Sequence, residues 1–396
     1  MHISRRIGSL ARIALVAALL GATAWAAQVR APENPAPGPK GEPTASPEAA
    51  RTIEAVFVLD TTGSMSGLID GAKQKIWSLA NEMAQSSEQT RIRFGLIAYR
   101  DRGDAYVTRR FDLTEDLDTI SAHLFAFTAD GGGDSPESVN QALHEAVTRM
   151  SWSPGEDVYR VIFLVGDAPP HLDYQDDVPY VETVRLARSR DIVLNTVQCG
   201  GLAPTTPIWQ AIAQGGGGVY ASIAQDGAMV AVTTPMDDEL AKLNRELAET
   251  IVAYGGKEEQ AELEAKRSRA VEAPAPAAAA RLSYLAKKGG RANLGRKDLL
   301  DALESGEADL AALPAEELPE PMRAMNAPER EAYVDEQLSK RSELRETIAG
   351  LVTKRDDYVR TEQERLAKEG KGDGFDRKVM ESVRSQAAAK GIHYAK

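Results

Sequence analysis

Hard oxygen ligands are concentrated in one short segment of the sequence, Asp60-Thr61-Thr62-Gly63-Ser64. A carboxylate and two hydroxyls occupy alternate positions there, at Asp60, Thr62 and Ser64. In a turn, this spacing can place all three groups on one side of the loop, and Gly63 allows the backbone to turn tightly. Carboxylate and hydroxyl oxygens suit Mg²⁺ or Mn²⁺. The segment therefore predicts a site for a hard divalent cation.

A second aspartate follows another apolar segment. Val161–Val165 is uninterruptedly apolar, and Gly166-Asp167 comes directly after it. If this run and the apolar run before Asp60 form neighbouring strands, Asp60 and Asp167 face each other at one edge of the sheet. Two carboxylates about 4 Å apart repel by about 4 kcal/mol at an effective dielectric constant of about 20. Such a pair requires a proton on one carboxyl group or a cation between the two.

A glycine-rich loop supplies a third set of oxygen atoms. Residues 128–136 have the sequence TADGGGDSP and precede a predicted helix. This loop can bring Ser135 or Asp134 to the same place as the two aspartates. We prefer the hydroxyl of Ser135 as the ligand, but the register also allows Asp134. His171 and Asp173 follow the second aspartate closely, and residues at such positions more often line a loop than bind a metal.

The elements that must position these residues alternate between strands and helices. Several strand segments are apolar throughout, which is typical of a parallel sheet covered on both faces. The predicted strands are 56–59, 91–99, 106–111, 161–165, 192–197 and 219–223, and the predicted helices are 68–83, 139–150, 180–188, 207–213 and 237–254. We expect a doubly wound, mostly parallel α/β sheet in which 91–99 lies beside the first strand and 106–111 forms an antiparallel edge. Ligands of such sheets bind at the carboxyl ends of the strands.

With these motifs in this order, residues 52–254 resemble a von Willebrand factor type A domain of the exported bacterial type. The first segment is similar to the family's Asp-x-Ser-x-Ser metal motif, with Thr62 in place of the first serine. Asp167 is similar to the family's late aspartate. Many members carry a threonine where this chain has Asp134-Ser135. An added carboxylate at that position would lower the remaining positive charge of the cation.

The resemblance implies a metal-ion-dependent adhesion site. In the family, hydroxyls bind Mg²⁺ directly, the aspartates often act through water, and a carboxylate of a partner protein completes the octahedron. The site implied for this chain consists of Asp60, Thr62, Ser64, Asp167 and either Ser135 or Asp134, with Mg²⁺ or Mn²⁺ as the cofactor. The implied partner is a protein that supplies an aspartate or glutamate carboxylate.

The N-terminal segment is typical of an export signal. Three arginines precede an apolar stretch from Ile13 to Ala27, and Ala24-Trp25-Ala26 fits a cleavage site. The stretch is shorter than the roughly 20 residues of a spanning helix, so we expect cleavage after about residue 26. Residues 27–51 are rich in proline and alanine and are predicted to be a linker. We expect a periplasmic or secreted protein, with membrane association only if the signal is retained.

Charge is distributed unevenly along the chain. The net charge is −12 overall, −14 for residues 27–255 and −1 for residues 256–396. An acidic surface favours cations and basic partners and argues against nucleic-acid binding. Cys199 is the single cysteine, which excludes an intrachain disulfide and a cysteine-rich zinc site.

Residues 255–396 lose the strand pattern. Leucine and isoleucine recur there at helical spacing among interleaved acids and bases, so we predict a mainly helical region without a catalytic site. Residues 271–280 (VEAPAPAAAA) are predicted to be a low-complexity spacer, and the helices after it are expected to form a hairpin or short coiled coil.

These patterns favour a metal-dependent protein-binding or adhesion module of the cell envelope that is not an enzyme. One alternative is a structural or assembly protein in which the helical C-terminal region mediates the interaction. A Mg²⁺-dependent, phosphatase-like hydrolase is less favoured. Such enzymes usually need a second aspartate two residues after the nucleophilic one as a general acid, and that position is Thr62 here.

Overall fold

A computed structural model of the chain describes residues 51–86, 90–223, 232–273, 275–287, 297–369 and 374–394. The predicted signal segment 1–26 and nearly all of the predicted linker 27–51 lie outside these residues. Everything below refers to the compact unit that begins at Ala49.

Six strands of the described chain form one sheet in the order β3-β2-β1-β4-β5-β6. The strands are β1 (Thr52–Asp60), β2 (Arg91–Tyr99), β3 (Thr108–Thr114), β4 (Val158–Gly166), β5 (Ile192–Cys199) and β6 (Gly217–Ile223). All neighbours are parallel except β2 and β3, which are antiparallel. The prediction of a doubly wound, mostly parallel sheet with an antiparallel edge is therefore confirmed.

The direction of the winding reverses between β1 and β4, which are hydrogen-bonded neighbours although two strands separate them in sequence. Leu59 pairs with Val165 in their register, so both strands end at the same edge. Crevices at such a reversal are the usual ligand sites of open α/β sheets. The topology therefore places Asp60 and Asp167 side by side, as the sequence predicted.

Helices cover both faces of the sheet. The described residues contain α1 (Ile69–Ala84), α2 (Leu117–Ala126), α3 (Val139–Thr148), α4 (Tyr180–Ser189), α5 (Thr205–Gly215), α6 (Asp237–Glu249), α7 (Lys257–Glu272), α8 (Ala275–Lys287), α9 (Leu299–Ser305), α10 (Glu320–Arg323), α11 (Ala327–Lys368) and α12 (Gly374–Ala388). Short 3₁₀ turns occur at Gly63–Gly67 and Ala315–Glu317. Within the described chain, none of these helices combines the length and apolar character needed to cross a bilayer.

Alternation along the buried strands divides the core into two layers. Val56 and Val58 point to the face covered by α3, α4 and α5. Phe57 points to the other face and stacks between Phe94 of β2 and Phe163 of β4, with ring centroids 6.3 and 5.4 Å away. Burial on both faces explains why these strands are continuously apolar.

The helical C-terminal region packs into the second layer instead of forming a separate hairpin or coiled coil. Tyr284 of α8 meets Phe94 edge to face, and Ile348 of α11 and Val383 of α12 belong to the same buried cluster. The predicted spacer 271–280 is largely helical, because α7 ends at Glu272 and α8 begins at Ala275. Ala278 and Ala279, near its C-terminal end, are buried against the domain, which gives this compositionally simple segment a packing role.

Basic residues of the C-terminal region pair with acidic residues of the sheet domain. Five pairs of this kind are Lys266–Asp116, Arg281–Asp118, Arg355–Asp237, Arg384–Glu82 and Lys390–Asp191. The Arg281 pair is well buried and is bidentate, with N···O distances of 2.6 and 2.8 Å. Part of the acidic excess of residues 27–255 is thus matched within the same chain.

Several local predictions differ from the structure. The sequence analysis missed α2, and the helix predicted at 237–254 ends at Glu249. The first strand and the edge strand are also longer or shifted by a few residues. Helix α2 is short, and Asp116 caps it by accepting from Thr119 N at 3.0 Å.

Candidate metal centre

The first segment of the candidate site is a loop built on the end of the central strand β1. Thr62 donates to Asp60 Oδ1 from its backbone N at 2.9 Å and from its Oγ1 at 2.6 Å. Thr62 Oγ1 lies 3.1 Å from Ser64 Oγ. The alternate spacing therefore produces the one-sided arrangement of oxygens that the sequence predicts.

Asp167 joins this arrangement from the neighbouring strand. Ser64 Oγ donates to Asp167 Oδ1 at 3.0 Å, which closes a chain of contacts from Asp60 to Asp167. Gly166 permits the approach, since a Cβ at that position would lie 2.9 Å from Asp60 Oδ2 and 2.4 Å from the hydroxyl of Tyr99. Any side chain at Gly166 would push the two strand ends apart.

Burial makes the ionised forms of these carboxyls unfavourable. Burial raises the pKa of Asp60, the charge of Asp167 raises it further, and the hydrogen bonds from Thr62 lower it only in part. Burial also raises the pKa of Asp167, against the hydrogen bond from Ser64. Asp60 Oδ2 is buried without a hydrogen-bond partner in the described structure. A carboxyl oxygen in this condition is suited to a cation.

The glycine-rich loop forms the far wall of the site. It is tied to the first loop by Gly63 N donating to Gly131 O at 2.9 Å and Asp130 N donating to Thr61 O at 3.1 Å. Arg100, which is buried, donates to Thr61 O at 3.1 Å and Thr128 O at 2.9 Å and so links the same two loops.

An open cleft of about 340 Å³ lies between these loops. It is lined by Ser64, Gly131, Gly132, Gly133, Asp134, Ser135, Glu137, Asp167, Ala168 and Leu202. The structure thus brings Asp60, Thr62, Ser64 and Asp167 into one continuous chain of contacts. Asp134 and Ser135 line the cleft as exposed residues, and their side chains have no described hydrogen bond to that group of four. Asp134 Oδ1 instead lies 3.7 Å from His171 Nε2.

Sequence reasoning missed Glu137, a buried residue of the same cleft. It is 2% exposed, and its Oε2 has no hydrogen-bond partner among the described residues. Burial and the charges of Asp60 and Asp101 raise its pKa to about 9. Gly132, at φ +77°, passes between Glu137 and Thr62, and a Cβ there would be 3.1 Å from Glu137 Oε1. The sequence feature that could have indicated Glu137 is the run Gly131–Gly133, because these glycines allow the loop to fold over this glutamate.

The donor set fits a hard divalent cation. Two carboxylates and two hydroxyls converge at one strand edge, and two buried carboxyl oxygens of the cleft lack partners in the described structure. No lysine or arginine among the described residues forms an ion pair with Asp60, Asp167 or Glu137. Asp60, Thr62, Ser64 and Asp167 are the residues that would hold Mg²⁺ or Mn²⁺.

Comparison with known families agrees with this topology. Residues 54–234 match the family model of the von Willebrand factor A domain. The match covers a little under half of the chain, whose residues 54–234 are therefore similar to a von Willebrand factor A domain. Domains of this family are protein-interaction modules, and they often bind a metal.

Two curated relatives share a short part of the chain. The alpha-protein kinase vwkA of Dictyostelium discoideum is 30% identical over 125 residues, which is 31% of this chain and 19% of that protein. The putative ariadne-like RING finger protein R811 of Acanthamoeba polyphaga mimivirus is 23% identical over 121 residues, 30% of this chain and 11% of that protein. The chain therefore spans about a fifth or less of the length of these relatives.

Two solved structures show a distant likeness. Proximal thread matrix protein 1 of the mussel byssus has a TM-score of 0.32 and 14% identity, covering 45% of this chain and 43% of that chain. The SpRpn10 von Willebrand factor A domain has a TM-score of 0.35 and 11% identity, covering 44% of this chain and 89% of that chain.

Proposed function

We propose that this chain is a metal-dependent protein-binding module of the cell envelope. Its von Willebrand factor A domain would bind Mg²⁺ or Mn²⁺ through Asp60, Thr62, Ser64 and Asp167, with Ser135 as the third-loop hydroxyl. A carboxylate of the partner protein would complete the site. The bound ion would supply a positive charge at the floor of the cleft.

The main observation in support of this function is that Asp60 Oδ2 is buried without a hydrogen-bond partner in the described structure and lies beside a second carboxylate. Asp60 is fully buried, and the chain of contacts through Thr62 and Ser64 leads from it to Asp167 at the cleft. Two carboxylates in one buried cluster are unfavourable unless a proton or a cation joins them. A hard cation satisfies both groups at once.

An acidic partner follows from the charge balance of the site. The hydroxyls of Thr62 and Ser64, two of the four groups proposed to hold the ion, are neutral. If Asp60 and Asp167 act through water, as the resemblance implies, the direct ligands of the ion on this chain are the neutral hydroxyls, and much of its charge stays available. A carboxylate is the group that such a charge attracts most strongly, despite the acidic surface around the cleft.

Location and the absence of catalysis are further parts of the proposal. The basic and apolar N-terminal segment supports export to the periplasm or the medium. The cluster offers no acid–base pair of the phosphatase type, because Thr62 occupies the position of the second aspartate. We therefore expect no phosphatase activity with Mg²⁺ present. Turnover of a generic phosphomonoester that is lost in Asp60→Asn would favour the hydrolase alternative instead.

The test is calorimetric titration of the full chain with Mn²⁺. Asp60→Asn keeps an oxygen that Thr62 can donate to but removes the charge, and we expect it to abolish measurable Mn²⁺ binding. Asp70→Asn is the matched control, because Asp70 lies at the start of α1 with an exposed side chain paired to Lys73. The control should bind Mn²⁺ as the wild type does. Equal affinity in Asp60→Asn and wild type would make the site assignment wrong.

Partner binding needs a separate test. Capture of proteins from an envelope extract on the immobilised chain should depend on Mg²⁺ and should be lost with a chelator and in Asp60→Asn. Ca²⁺ should support capture less well, because Mg²⁺ prefers a compact octahedron and Ca²⁺ takes more ligands at longer distances. Capture that is unaffected by the chelator would favour the assembly alternative.

A further inference from the structure

A second cluster of metal-ligating atoms lies next to the first. It consists of Asp101 in the loop after β2, Asp134 in the glycine-rich loop and His171 in the loop after β4. One ligand atom of each residue lies within 4.8 Å of the others. None of these three residues belongs to the contact chain from Asp60 to Asp167.

His171 distinguishes this cluster from an ordinary acidic surface patch. The residue is 5% exposed, and its Nε2 has no hydrogen-bond partner among the described residues. That nitrogen lies 3.3 Å from Asp101 Oδ2 and 3.7 Å from Asp134 Oδ1. A buried ring nitrogen is therefore aimed at two carboxylates and makes no properly oriented hydrogen bond to either.

The other side of the ring determines which nitrogen is available. His171 Nδ1 lies 2.8 Å from Asp173 Oδ1, and the ring stacks on Tyr174 with centroids 4.0 Å apart. In the tautomer with the proton on Nδ1, which can donate to Asp173, Nε2 carries the lone pair that a metal ion would take. Carboxylate–histidine–metal arrangements have this form, in which the outer carboxylate fixes the tautomer and the ring orientation.

Neighbouring groups hold the cluster in place. Asp101 accepts from Ser138 Oγ at 2.8 Å and from Tyr174 Oη at 3.0 Å. His171 N donates to the backbone oxygen of Glu137 at 3.0 Å, and Asn140 donates to His171 O at 2.7 Å. Two of the three ligands are thus preorganised by buried hydrogen bonds, which favours ion binding over rearrangement.

We propose that Asp101, Asp134 and His171 bind a second divalent ion, and that this ion is of the transition-metal class, Zn²⁺ by its chemistry. Two carboxylate oxygens and one imidazole nitrogen suit such an ion better than Mg²⁺, which takes oxygen ligands. Three protein ligands leave a coordination position open. Asp134 lines the cleft, so this position borders the same cleft as Ser64. The proposal also assigns Asp134 to the second ion and leaves Ser135 for the first.

The experiment is Co²⁺ titration of the untagged full chain in saturating Mg²⁺, followed by visible absorption and by Zn²⁺ competition. We expect one Co²⁺ per chain with the absorption of a nitrogen-containing site, displaced by Zn²⁺. His171→Ala and Asp134→Asn should weaken Zn²⁺ binding by at least about 100-fold. Asp173→Asn should weaken it by about 10- to 100-fold, because it removes only the outer carboxylate.

Two variants make the result decisive. His144→Ala is the histidine control, since His144 lies on α3 beside Thr183, and it should bind Co²⁺ as the wild type does. Asp60→Asn should retain the Co²⁺ spectrum, which separates this site from the proposed Mg²⁺ site. Asp134 is exposed, so Asp134→Asn tests the idea even if His171→Ala fails to fold. Wild-type chain that binds no Co²⁺ in Mg²⁺, or binding unchanged in folded Asp134→Asn, would overturn the proposal in favour of a simple His171–Asp101 ion pair.

Discussion

Two buried carboxylate clusters in this chain differ in what balances their negative charge. In the helical region, Asp298 and Asp301 surround Arg341, a fully buried residue whose guanidinium lies 2.8 Å from Asp298 Oδ2 and 3.0 Å from Asp301 Oδ1. At the sheet edge, Asp60 and Asp167 have no such basic partner among the described residues. The chain supplies the cation in one place and, in our account, takes it from solution in the other.

The same physical penalty acts on both clusters. Burial raises the pKa of Asp298 to about 6 despite the attraction of Arg341, and burial raises the pKa of Asp60 as well. Arg341 also donates to Thr250 O at 2.7 Å and Thr250 Oγ1 at 3.0 Å, so its hydrogen-bonding capacity is well used. We propose that the helical cluster serves stability and that the sheet-edge cluster serves ligand binding.

The largest effect should come from removing the internal cation. Arg341→Ala leaves Asp298 buried without its partner, and we expect a loss of about 3–5 kcal/mol in the free energy of unfolding. Arg360→Ala on the same helix is the control, because Arg360 and Asp357 form an exposed pair that should contribute about 1 kcal/mol or less. Urea denaturation of both variants checks this. Similar losses in the two would break the contrast between the clusters.

The sheet-edge cluster should instead respond to added metal. At a free Mn²⁺ concentration of about 100 times Kd, binding to the folded state should stabilise the wild type by about 2.7 kcal/mol. Asp60→Asn should gain nothing from Mn²⁺, and in chelator it should be no less stable than wild type, because it removes a buried negative charge. Thermal melts with Mn²⁺ and with chelator measure both. A metal-free variant that is several kcal/mol less stable would assign Asp60 a structural role.

Acidification should act on the two states of the sheet edge in opposite directions. The pKa values of Asp60 and Asp167 are raised in the folded state. The metal-free fold therefore gains stability as the pH falls from above these raised pKa values to below them. Metal binding needs the carboxyls deprotonated, so Mn²⁺ affinity should fall about three- to tenfold per pH unit from pH 8 to pH 6. Calorimetry at several pH values checks the affinity, and the difference in unfolding free energy between wild type and Asp60→Asn checks the stability. Affinity that is constant over this range would contradict the proton competition.

The smallest effects on Mn²⁺ affinity should come from substitutions in and next to the glycine-rich loop, and they should distinguish the roles of Ser135 and Glu137. Ser135→Ala removes the proposed third-loop hydroxyl and should weaken Mn²⁺ binding about tenfold, which is about 1.4 kcal/mol. Glu137→Gln should change affinity by about threefold or less, because the amide resembles the protonated carboxyl that its raised pKa implies. Mn²⁺ calorimetry on both variants gives the order. A larger loss in Glu137→Gln would show that Glu137 binds the ion as a carboxylate.

The sequence was most informative where neighbouring residues decide the structure. The buried strands and the turn from Asp60 to Ser64 depend on local periodicity and spacing, and both predictions of geometry were confirmed. The adjacency of Asp60 and Asp167 needed only the order of the strands, which the alternation of strands and helices restricted.

Residues whose role depends on distant partners were harder to predict. Glu137 and His171 are buried by loops that approach from three strand ends, and no local pattern shows which carboxyl such loops leave unpaired. The four consecutive glycines of Gly215–Gly218 predict no more than backbone freedom from the sequence. This run contains the end of α5 and the start of β6, and a Cβ at Gly218 would lie 2.1 Å from Leu194 O. Close packing, which appears only in three dimensions, explains these glycines.

The most direct test of the metal-site account is an anomalous-difference map from crystals of the chain grown with Mn²⁺. We predict a manganese peak within coordination distance of the Ser64 hydroxyl, beside Asp60 and Asp167, with a position open to the cleft. The same map from Asp60→Asn crystals should lack this peak. Well-ordered wild-type crystals in saturating Mn²⁺ with no peak between Asp60 and Asp167 would contradict the central claim that this cluster takes its cation from solution.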